Sequence, residues 1–61
     1  MEVVFEAFVN VLGAKGKLLL EVVAVAAKPG AAKAAAYKKA LQRVAELKLA
    51  PMVVGMEVAL A

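Results

Sequence analysis

Few side chains in this sequence could do covalent or acid–base chemistry. Ser, Thr, Asp, His, Cys, Ile and Trp do not occur at all. The usual nucleophiles and the usual proton shuttle are therefore missing. Glu, Lys, Arg43, Asn10, Gln42 and Tyr37 remain. Glu6 and Glu21 are the first pair to weigh. If the strands they occupy pair as argued below, they become diagonal neighbours on one sheet face. Two carboxylates so placed can share a proton or bind a cation. The plainer reading is two charges that keep a partly apolar surface in water, and structural charges outnumber functional ones. No catalytic, cofactor-binding or metal-ligating residue is assigned.

The cations offer two further groupings. Lys28, Gly30 and Lys33 surround the start of a helix, where free N–H groups favour an anion. No glycine-rich phosphate loop accompanies them, and a helix start with two solvent-facing lysines explains them as well. Lys38, Lys39 and Arg43 form a small basic patch. Base-stacking aromatics are absent from it and Glu46 shares its face, so it reads as a solvated helix surface rather than a nucleic-acid site. Tyr37 falls near the middle of an apolar helical arc, where its ring belongs in a core. Met52 and Met56 share one strand face and read as core gap-fillers. Asn10 is the one amide in a strand, a polar contact that could fix register.

These residues are positioned by an expected β-β-α-β chain. Residues 2–12, EVVFEAFVNVL, read as a strand whose odd positions Val3, Phe5, Ala7, Val9 and Val11 are all apolar. GAKG at 13–16 is a turn with glycine at both ends for positive φ. Residues 17–27 form the second strand. Pairing partners that sum to 29 sets Val11 opposite Leu18, Val9 opposite Leu20, Ala7 opposite Val22, Phe5 opposite Ala24 and Val3 opposite Ala26. That register gives one wholly apolar face and one mixed face. KPG at 28–30 breaks the strand. Residues 31–49 are strong helix formers, with Ala36, Tyr37, Ala40, Leu41, Val44, Ala45 and Leu47 on one arc. The residue before Pro51 avoids the α region and ends the helix. Residues 52–60 form a third strand, with Met52, Val54, Met56, Val58 and Leu60 on one face.

The expected fold class is α+β: one domain over 1–61, one helix on one face of a three-stranded sheet. Strand order 2-1-3, all antiparallel, is preferred over 1-2-3 with one parallel pair, because a split crossover suits a single covering helix. One helix covers one face. Val4, Phe8, Leu19, Val23, Val25 and Val53 then stay on the uncovered side.

Composition sharpens that problem. Hydrophobic residues make up 66% of the 61-residue chain, against about 45–50% in ordinary domains. A domain this short buries only about 60% of its unfolded surface. A bilayer could take the surplus, but a spanning helix needs roughly 20 apolar residues in a row. The longest uncharged runs here, at 7–14 and 49–56, are eight residues each. The start, MEVVFEAF, lacks the basic region of a signal peptide. A soluble protein is expected, cytoplasmic where a host expresses it. The net charge of +3 supports solubility more than any particular partner.

Ala, Val and Leu fill more than half the chain while seven residue types are absent. In this respect the whole sequence resembles computationally designed small α+β homo-oligomers, by composition and not by a motif. The resemblance implies a protein made to adopt a structure, with no evolved substrate. The expected partner is another copy of the chain, in a dimer first and a cyclic ring second. Val4, Phe8, Leu19, Val23 and Val25 are the expected interface. No membrane, nucleic-acid or small-molecule partner is expected, and no cofactor. The alternatives are a module taking a peptide or apolar ligand on the same face, or a weak anion or nucleic-acid binder through Lys28, Lys33, Lys38, Lys39 and Arg43.

Overall fold

The computed structural model describes residues 3–61. Glu2, read above as the start of the first strand, lies outside them. The elements run β1 (Phe5–Leu12), a 3-10 turn (Ala14–Gly16), β2 (Leu18–Ala26), α1 (Pro29–Leu47) and β3 (Val53–Leu60). The sheet order is β2-β1-β3, with both neighbours antiparallel to β1. The expected class and strand order are therefore the observed ones.

The hairpin register is not. Val9 faces Val22 and Phe5 faces Ala26, so partners sum to 31 and the pairing is shifted by two residues. The turn explains the shift. Gly13 donates its N–H to the Lys17 carbonyl at 2.7 Å, which takes Lys17 into the loop. Gly16 adopts φ 73°, as a turn glycine should, but Lys15 also takes a left-handed φ of 59° where glycine was not available. Leu12 then pairs with Leu18, and the register breaks before Val11 pairs with Leu20. Leu19 is the extra, bulged residue. A shift of two keeps the side chains beyond the bulge on their expected faces, while Leu18 and Leu19 exchange sides. Phe5 still packs against the core on the helix side.

The core is made of small residues. Ala7, Val9, Val11 and Val22 from the sheet are buried against Ala32, Ala36 and Ala40 of α1. The helix alanines recur every four residues, one stripe of the helix surface. With no atoms beyond Cβ, they let the helix lie close on the sheet. The wider arc expected to be buried is not: Tyr37 is 41% exposed, Leu41 49% and Leu47 51%, and Ala45 is exposed too. These residues flank the alanine stripe and have no room beneath it. α1 lies over β1 and β2 and only grazes β3. Met52 and Met56 are consequently surface residues and not core fillers.

Both helix ends are set by the backbone. Pro29 occupies the first turn, where its missing N–H costs nothing. At the other end Leu49 N–H reaches the Val44 carbonyl and Lys48 N–H the Ala45 carbonyl, with Lys48 left-handed at φ 53°. This is a Schellman closure with lysine at the position that glycine usually takes.

Candidate functional site

The surface that the fold leaves for function is the uncovered sheet face. Even-numbered residues of β1, odd-numbered residues of β3 and, past the bulge at Leu19, odd-numbered residues of β2 point there, joined before the bulge by Leu18. Three cross-strand rows follow from the two registers: Val25–Glu6–Ala59, Val23–Phe8–Glu57 and Glu21–Asn10–Gly55. A fourth, Leu18–Leu12–Val53, sits beside the turn. Val4 continues β1 past Glu6, its carbonyl accepting the Ala61 N–H at 3.0 Å.

Of the five expected interface residues, four share this face. Val23 and Val25 stand two apart on β2, Phe8 lies directly across from Val23, and Val4 is diagonal to Val25. Val23 is 38% and Val25 56% exposed, while Phe8 and Val4 are half-buried. Leu19 does not join them. As the bulged residue it packs against the core cluster, close beside Gly13. Leu18, expected to pair with Val11 under the helix, lies opposite Leu12 instead and is 55% exposed.

The expected carboxylate pair does not form. Glu6 faces Val25 and Glu21 faces Asn10, four register positions apart. At about 3.3 Å per residue that is roughly 13 Å along the strands. Glu6 and Glu21 therefore cannot share a proton or a cation. The shifted register instead spreads three carboxylates over the face: Glu6 in the middle strand, Glu21 and Glu57 in the two edge strands. No lysine or arginine of the strands joins them there. Among the described residues, no three acidic side chains gather as a metal-binding group would require.

The cationic groupings are on the other side of the molecule. Lys39 reaches over the β2 edge, its Nζ 3.5 Å from the Val23 carbonyl. Arg43 pairs with Glu46 at 3.6 Å on the exposed helix surface. At the helix start, a Cβ added to Gly30 would meet nothing within 4 Å. No neighbouring part of the described chain therefore demands glycine there.

Nothing concave accompanies these features among the described residues. None of the described helices is long and apolar enough to cross a membrane. No family model, curated protein or solved structure matches the chain.

Proposed function

We propose that this is a structural protein without catalytic function, a designed sequence that assembles with copies of itself through its open sheet face and strand edges. The observation that carries the reading is the apolar ladder Val25–Val23 beside Phe8 on a face that α1 cannot reach. The amount of surface left open supports it. The accessible area is 4358 Å², against roughly 3,700 Å² for a compact monomer of this mass. The radius of gyration, 12.1 Å, exceeds the roughly 10.5 Å of a compact 61-residue domain. A second copy stacked on the open face would remove the apolar ladder from water. Glu21 and Glu57, on the edge strands, would fall at the rim, where interfaces carry their polar residues. Glu6, in the middle strand, needs a lysine from the neighbour, since an unpaired buried carboxylate is costly.

The test is the double variant Phe8→Glu with Val23→Lys, followed by mass measurement in solution. We expect an oligomeric parent and a variant of lower mass. A parent that is a monodisperse monomer at micromolar concentration, or a variant that keeps the parental mass, overturns the reading. A monomeric parent that binds apolar peptides would make the open face a ligand-binding surface instead.

A further inference from the structure

The two edges of the sheet are built differently, and the difference selects one of them for pairing. Ala61 N–H bonds to Val4, so the odd positions of β3 turn their backbone groups toward β1. The N–H and C=O groups of Val54, Met56, Val58 and Leu60 therefore point out of the sheet. By the same alternation β1 turns its odd positions toward β2, and β2 presents Leu19, Glu21, Val23 and Val25 outward. The β2 edge is guarded: Leu19 breaks its regularity, and Lys39 lies on the Val23 carbonyl. Bulges and lysines are the usual means of blocking edge-to-edge association. The β3 edge has neither. It runs for eight residues in unbroken register with β1, and its only charge is Glu57. No side chain of the described residues hydrogen-bonds to it. Its helix-side residues are also open, Met56 at 47% and Leu60 at 66%.

Resting on the self-assembly reading above, we infer that β3 pairs antiparallel with β3 of a second copy about a two-fold axis at Met56. Residues paired across such an axis must share a face, so their numbers sum to an even value. A sum of 112 sets Met56 against its own copy, Val54 against the partner's Val58 and Met52 against the partner's Leu60. The helix-side pairs are then all apolar, and the overlap spans 52–60. The outward-pointing groups of residues 54, 56 and 58 meet as hydrogen-bonded pairs, giving about six inter-chain bonds. Glu57 falls opposite the partner's Gly55. Moving the axis by one residue, to a sum of 114, would set Glu57 directly against its copy, and like charges so placed are destabilising. Every even sum keeps the outward-pointing groups in phase, so it is the charge at Glu57 that favours the axis at Met56. The product is a continuous six-stranded sheet with both helices on one side.

The chain has no cysteine, so single cysteines report this contact cleanly. Across a hydrogen-bonded pair the Cα atoms are about 5.5 Å apart, within disulfide range. Two copies of residue 60 would be separated by eight positions, about 27 Å. Met56→Cys is therefore expected to oxidise to a covalent dimer while Leu60→Cys stays reduced. Met56→Pro removes an outward N–H but no bond to β1, and is expected to abolish this contact while the strand pairing within the chain survives. Equal cross-linking of the two cysteine variants overturns the inference, as does a folded Met56→Pro variant of unchanged mass. The open-face reading fails separately: there the Phe8→Glu, Val23→Lys variant keeps its mass while Met56→Pro reduces it.

Discussion

The two faces of this sheet invert the usual relation between side-chain size and burial. Under α1 the buried residues are alanine and valine, and Val9 and Val11 are the largest side chains fully hidden. On the open face and the uncovered flank stand phenylalanine, leucine, methionine and tyrosine, half-buried or exposed. Close approach of helix and sheet explains the first set. It also creates the second, because an alanine stripe seats the helix over two strands and leaves the third bare. The covered face specifies the fold of one chain, and the open surfaces are left for contact between chains.

The sharpest way to break this division is to place a charge on the covered face. Val9 is fully buried in the central strand, against the alanine stripe. Val9→Asp has no partner in a core that holds no polar side chain. Burial of an unpaired polar group costs about 2–7 kcal/mol, comparable to the whole stability of a small domain. We expect loss of the folded circular-dichroism spectrum at room temperature. A Val9→Asp variant that melts like its parent would show that this face is not the core.

Strand order could be read from the sequence because each element has a strong local signal and a single helix constrains the topology. Register could not. It depended on whether Lys17 ended the turn or began the strand, and on a bulge at Leu19 that the unbroken apolar run 18–20 conceals. The carboxylate pair Glu6–Glu21 rested on that register and dissolved with it. The open face remained legible beyond the bulge, since a shift of two residues preserves the side that each residue faces, and only Leu18 and Leu19 changed sides. The helix was misread for a different reason. Leu41, Tyr37 and Leu47 carry the apolar signal in any periodicity argument, yet the alanines at 32, 36 and 40 make the contact.

A smaller change sharpens the comparison along the helix itself. Ala36 is fully buried and Leu41, five residues on, is 49% exposed. Ala36→Leu adds three carbons where the helix touches the sheet, and overpacking of this kind costs about 1–3 kcal/mol. Leu41→Ala removes three carbons from a surface flank, and surface changes stay within about 0.5 kcal/mol. Thermal melts of the two variants at one low concentration should therefore separate widely, with the gain in apolar volume being the harmful one. Equal melting temperatures would mean that α1 rests on its leucine flank in solution.

The smallest expected effect separates fold stability from assembly. Lys48 closes the C-terminus of α1 in a left-handed conformation, φ 53°, that costs a residue with a Cβ about 1–2 kcal/mol and glycine almost nothing. Glycine gives back part of that gain through its freer unfolded chain. Lys48→Gly should therefore stabilise the fold by about 0.5–1 kcal/mol. In a domain of this size that is a rise of a few degrees in melting temperature. The substitution touches neither the apolar ladder on the open face nor the β3 edge. It also removes a positive charge, which favours a helix C-terminus and so trims the gain slightly. If the covered face governs folding and the open surfaces govern association, the melt should shift upward while the mass in solution stays at its parental value. A changed mass would tie the helix end to the contact between chains, and an unchanged or lowered melting temperature would show that Lys48 is not strained in the folded protein.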